Sequence, residues 1–460
     1  MSNMNIGFAL LFSLLFSTSP LYAGNGMGAH GPVSQDSGME PGPQPGPGPG
    51  HMNRFGPGHD AKNLAYYGDW DSNRVFIIDV DNMALLEIVE DTGDGPYGCD
   101  QQDASTAYAL TRKTESLTVI DNHFFENIGK ILLDHKPRST HHNSDTGFSL
   151  VSGADKVMTS LIWVNNNKVT KVFGVDKEAI PGNSDFGGSL TTGHPLWIDD
   201  ENFFMLDRAH REIQLWSRHG GRVSTLNTPT SVHHIFQSPL ERFDEIYYAV
   251  VEGNQGENRS PSILRFRIQN RKMVVTGEAI LSNYDGAPDP DVMGSHHADF
   301  HPDGVHIYIG SAEGHVFVVN KNTMDVETMI NTGKGSGHTT FVPMHNVAFV
   351  TNHNDTYMTV IDTIDHIRLG DIEVASTPPT GYKSQSHTSG VSTDQRYFYS
   401  AASYDGVFFR IDVEKLVDDE VLEISELDIE DELEHVLGLD NYDVNILMGS
   451  FIWDGEGDNM

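Results

Sequence analysis

The chain reads as an all-β protein closed into a β-propeller of seven or eight blades, and three observations predict this. Seven short apolar strands open on Cys99, His142, His194, His234, His297, His338 and His387, spaced 43, 52, 40, 63, 41 and 49 residues apart. A period of that size, with several strands to each unit, is the spacing of propeller blades. Between the markers lie runs such as HIYIGSAE, HVFVVNKN and DVETMINTG after His297, which alternate apolar and polar positions between Gly, Asn or Lys turns. A shared phrase also recurs, as VFIIDVDN (75–82), LTVIDNH (117–123), MTVIDTI (358–364) and FFRIDVE (408–414). No uninterrupted helical pattern appears before the C-terminal region.

In chain order, residues 1–23 carry the marks of a secretory signal. An apolar stretch from Phe8 to Phe16 meets a break at Pro20 and a Leu21-Tyr22-Ala23 end suited to cleavage. The stretch is too short and too rich in Ser to span a bilayer. Residues 24–62 are dominated by Gly and Pro and hold too few apolar side chains to fold, so they read as a tether. His30, His51 and His59 with Met27, Met39 and Met52 give that tether ligands for soft or borderline cations. Residues 63–427 form the propeller. Its first part, 64–90, supplies three strands without an inner one. If DVNILMGSFIW (443–453) returns to fill that place, the ring closes as eight blades, and the count favours eight. The rest of 428–460 reads as an acidic tail.

Composition narrows the partners. The net charge of −36, from 65 acids against 29 bases, argues against nucleic acid and anionic membrane surfaces. The 16 acids and one Lys of residues 413–460 account for part of it. With Cys99 alone, no intrachain disulfide can form. Cys99 is either a small buried packing residue or a thiolate in the axial ring.

The 23 histidines matter through their placement. The first strand of each blade lines the central channel, so one imidazole per blade at one height makes a ring of nitrogen donors. His141-His142, His233-His234 and His296-His297 are doublets, and neighbours on a strand face opposite ways. Alignment on His194 and His338 selects the second of each, with His387 open to an offset of one. Neutral imidazoles bind Zn²⁺, Cu²⁺ and Ni²⁺. A tetrahedral zinc uses three or four of them, so six exceed one ion. Asp145, Asp199 and Asp299 are available to orient the rings.

The unit from His297 (HADFHPDGVHIYIGSAEGHVFVVNKNTMDVETMINTG) resembles the YVTN family of exported propeller repeats. The axial histidines resemble those of two groups of metallo-propellers. One is the periplasmic zinc metallochaperones, which also carry a flexible His-bearing segment and deliver zinc to a transporter's binding protein. The other is the copper propellers, nitrous-oxide reductase and thiocyanate dehydrogenase, with a His-ligated copper cluster on the axis. Unlike nitrous-oxide reductase, this chain has no cupredoxin domain and no Cys pair for an electron-entry copper.

Three functions follow as expectations. The first is a periplasmic or secreted protein that sequesters or delivers Zn or Cu and meets a transporter binding protein. The second is a copper oxidoreductase with a redox partner, using Lys113 or Glu252 at a channel mouth as acid–base groups. The third is a metal-free interaction scaffold.

Overall fold

The computed structural model describes residues 63–174, 191–238, 245–295, 297–377, 386–437 and 446–453, so the signal and tether expectations lie outside the described residues. It contains eight four-stranded antiparallel sheets arranged as an eight-bladed β-propeller. Blade 1 takes three strands from residues 63–89. Its innermost strand is Ile446–Trp453, which pairs antiparallel with Asn63–Asp69. Blades 2 to 8 each run outward in chain order from an inner strand. Those strands are Pro96–Gln101, Pro137–Asn143, Leu196–Trp197, Val232–Phe236, Ala298–Phe300, Ser336–Val342 and Ser389–Val391.

The recurring Asp of the third strands has a local cause. Asp79 Oδ1 accepts the backbone N–H groups of Asp81 and Asn82, both at 3.0 Å. Asp121 does the same for His123 and Phe124, and Asp362 for Ile364 and Asp365. Each side chain thus closes a turn on its own strand end. The residue that follows, Met83, Phe125 or His366, takes a positive φ of 52–56° and sends the chain back as the fourth strand. In blade 8, Asp412 instead caps a short helix by accepting from the Lys415 N–H at 3.1 Å.

Neighbouring blades pack face to face through aromatic side chains. Phe173 meets Phe203 at 4.9 Å between blades 3 and 4, and Phe349 stacks on Phe398 at 4.3 Å between blades 7 and 8. Tyr67 of blade 1 meets Phe408 of blade 8 at 5.6 Å, closing the ring. The described part of the acidic tail is not merely solvated. Its helix, Ile429–Leu437, buries Ile429 and Leu433 against that same seam while Asp431 and Glu434 are exposed. An i, i+4 apolar pair among charges is enough to dock it. Among the described residues no helix is long and apolar enough to cross a membrane.

Because the last strand completes the first blade, a chain ended at residue 437 should lose the closing pairing. Its melting temperature should fall by roughly 5 °C, as loss of several kcal/mol implies for a domain of this size. An unchanged thermal unfolding curve would contradict this closure.

Candidate metal centre on the propeller axis

Five inner strands share one irregularity at the same register. In blade 3, Pro137 pairs with Gly153 and Thr140 with Val151, three steps against two. Blade 5 repeats it from Val232 to Ile235, and blade 7 from Ser336 to Thr339. Blades 2 and 4 each carry one extra residue at the same point. Each is a β-bulge, which re-aims side chains by placing an additional residue on the inner strand. Two successive positions result. Tyr97, Arg138, Gly193, His233 and Gly337 occupy the first. Gly98, Ser139, His194, His234 and His338 occupy the second. His297 holds the second position in blade 6, immediately before the paired Ala298. His387 stands two residues before the paired Ser389, in the first position of blade 8.

These strands bring together five of the seven residues marked in the sequence, with two more histidines. His194, His233 and His297 form one triad whose ligand nitrogens all lie within 4.8 Å of one another, and His338, His353 and His387 form a second. The triads touch, because the His297 and His338 rings lie 3.6 Å apart between centroids. His234 lies against His297 at 4.9 Å, with its Nε2 3.3 Å from the Ala298 carbonyl oxygen. In the doublet of blade 5, therefore, the first histidine completes a triad and the second flanks it.

His353 enters from the turn after the second strand of blade 7, not from an inner strand. Its ring lies where a side chain at 337 would stand, and a Cβ on Gly337 would overlap the imidazole. His353 also stacks on His387 at 4.5 Å with 16° between the planes.

The structure places Cys99 and His142 away from the triads. Cys99 pairs with Ala109, which makes it the counterpart of Thr339, one position beyond the ring. It is fully buried among Tyr66, Ala107, Ala109 and Ile120, and burial pushes its thiol up. His142 is three positions beyond the ring, and its Nδ1 lies 3.3 Å from Ser149 Oγ. Lys113 is exposed, donating to the Trp70 carbonyl at 2.8 Å beside Asp71 and Asp94.

The groups around the rings also differ from expectation. Asp145 and Asp199 lie in exposed turns, Asp199 accepting from the Glu201 and Asn202 backbone. Asp299 accepts the Thr339 N–H of the next inner strand at 3.2 Å, and burial pushes its carboxyl up to about 7. Asp100 does the equivalent for Thr140. These carboxyls tie blade to blade. The carboxylate beside an imidazole is Glu252, fully buried, 3.0 Å from His233 Nδ1 and held by Arg208 through bonds of 2.5 and 3.1 Å. A carboxylate on Nδ1 keeps the proton there and makes Nε2 the ligand atom.

Burial holds His194 and His338 well below the ordinary histidine range; Arg138 adds to this at His194 and His353 at His338. His353 is pushed down to about 4 by burial. These three imidazoles are therefore neutral at pH 7, the form that ligates metal. Three imidazole nitrogens at this spacing suit a borderline cation and leave at least one coordination position for another ligand.

A third group, His301, Asp303 and His306, sits among the turns at the opposite ends of the strands. Both nitrogens of each of its histidines already have partners. His301 meets the Thr363 carbonyl and the Asp303 N–H, and His306 meets Asp303 and Glu327. This is a hydrogen-bonded tie between blades 6 and 7.

No protein-family model matches the chain, and no curated protein sequence does. Several solved structures are similar. The dihydro-heme d1 dehydrogenase NirN in complex with DHE aligns at TM-score 0.57 and 13% identity over 81% of this chain and 74% of that one. Apo AztD from Citrobacter koseri aligns at TM-score 0.53 and 11% identity, covering 85% and 98%. The computationally designed Ika8 protein gives 0.54 and 11%, covering 75% and 94%. At such identities these likenesses support the propeller fold and nothing finer.

Two outcomes are expected. Seven histidines, including His141 and His353 at about 4, have folded-state values below the unfolded 6.5, whereas Asp100, Asp207 and Asp299 are raised. Below pH 6.5 the unfolded chain binds protons on these imidazoles before the folded one does, so the stability from keeping them neutral is present above 6.5 and lost toward 4. Each imidazole held at about 4 contributes about 3 kcal/mol to that loss. The three carboxyls offset part of it. Urea titrations of metal-free protein from pH 7 to pH 4 should show stability falling. Separately, Gly337→Ala should displace His353 while leaving the fold intact by circular dichroism, and unaltered metal uptake in this variant would contradict the second triad.

Proposed function

We propose that the protein is an exported metal-binding propeller that holds Zn²⁺ or Cu²⁺ on its axial histidines for sequestration or delivery. The observation that carries this reading is the pair of adjoining imidazole triads, in which burial keeps His194, His338 and His353 neutral. Export is supported by the signal-like residues 1–23, and the YVTN-like repeat fits the same setting. Delivery would need a recipient such as a transporter's binding protein, and the His- and Met-bearing tether would serve as the collecting arm. The strongly acidic surface raises the local concentration of cations around the channel.

A second reading, a copper oxidoreductase, is favoured by one feature. Two triads in contact, with His234 beside them, offer more nitrogens than a single carried ion needs and suit a cluster of ions.

Elemental analysis of protein exposed to zinc or copper separates the readings. We expect about two ions per chain if each triad holds one. His233→Ala and His338→Ala should each lower that number, while His142→Ala and Cys99→Ser should leave it unchanged. Colour and an electron paramagnetic resonance signal would mark Cu²⁺, because Zn²⁺ is d¹⁰ and silent. A protein that retains neither metal would refute both readings and leave the scaffold.

A further inference from the structure

The axial ring is only half imidazole. Going round it, blades 4 to 8 supply the histidines, while blades 2 and 3 supply Tyr97 and Arg138 at the position His233 holds in blade 5. Arg138 lies beside His233, one of its terminal nitrogens 3.4 and 3.5 Å from the two ring nitrogens. This near-equal reach shares one guanidinium nitrogen between the two ring nitrogens. Arg112, from the end of the second strand of blade 2, lies 3.3 Å over the Tyr97 ring and donates to the Arg138 carbonyl at 3.1 Å. Tyr97 in turn meets His387 at 6.3 Å, so the cationic half joins the imidazole half at both ends.

The charges here do not balance. Arg208 has Glu252 as a two-point partner. Among the described residues no carboxylate lies within ion-pair distance of Arg112 or Arg138. The acids that act on them at longer range are Asp100 on Arg112, already committed to Thr140 and raised by burial, and Glu252 on Arg138, already committed to Arg208 and His233. Burial lowers both guanidinium groups, which share mutual repulsion with Arg208. Both residues nonetheless remain partly accessible. An uncompensated cation in such a place is unfavourable unless something negative accompanies it.

We infer that Arg112 and Arg138 form a binding subsite for a small oxyanion of the carboxylate class, facing the His194–His233–His297 triad. Guanidinium forks match a planar two-oxygen anion. A triad of imidazoles leaves a coordination position open, and an anion held on the Arg138 fork, whose Nε has no hydrogen-bond partner, stands beside that triad. The subsite rests on the arginine geometry alone; its extension, that the anion bridges to a bound ion, rests on the metal reading.

Formate is the probe. Metal-free full-length protein is melted across a formate series, with chloride replaced to hold ionic strength. The wild type should show a saturable rise in melting temperature over chloride, and Arg138→Gln and Arg112→Gln should abolish it. Arg138→Lys, which keeps the charge but loses the fork, should retain only part of the rise. Equal responses in wild type and Arg138→Gln, or no rise in the wild type, would overturn the subsite. In zinc-loaded protein the formate midpoint should drop by about tenfold if the anion bridges to the metal. An unshifted midpoint would overturn the bridging while leaving the subsite. A formate response in a protein that takes up no metal would sink the metal reading alone.

Discussion

The axial centre depends on one constraint, the extra residue in the inner strands. Without it, residues on either side of positions 138, 233 and 337 would alternate faces and only one per blade could look along the axis. The bulge opens two successive places instead, and blades on a common ring bring those places together. Everything in the centre follows from which residues fill them. Imidazoles fill the arc from blade 4 to blade 8, an arginine and a tyrosine the arc of blades 2 and 3, and a glycine leaves room for His353.

The surrounding groups explain why so many titratable side chains can be gathered there. Burial keeps His194, His338 and His353 neutral, so their proximity carries no charge repulsion. The arginines bring positive charge, and Glu252 neutralises one of them while holding His233 in a fixed tautomer. Stability lies elsewhere, in the aromatic seams between blades and in inner-strand carboxyls such as Asp100 and Asp299 that tie each blade to the next. This separation lets the centre be built for chemistry without carrying the fold.

Much of the architecture was legible in the sequence, because a period of about 40–50 residues and a repeated Asp turn survive without any contact being known. The closing strand was legible too, since residues 64–90 hold three strands where four are needed. The centre was legible only in part. His194, His234, His297, His338 and His387 stood out by spacing. A one-residue bulge leaves no mark in composition, so Cys99 was placed one position out of phase, His142 three, and the blade 5 doublet was read from its second member. His353 was hidden because it approaches from a turn; the bare Gly337 opposite was its only trace. Arg112 and Arg138 escaped notice because a search for ligands passes over cations.

X-ray absorption at the metal edge, on protein loaded with zinc or copper, tests the central claim most directly. The account requires a first shell of nitrogen at about 2.0 Å with the outer-shell scattering of imidazole, and no sulfur at about 2.3 Å. A shell made only of oxygen, or one containing the Cys99 thiolate, would contradict it.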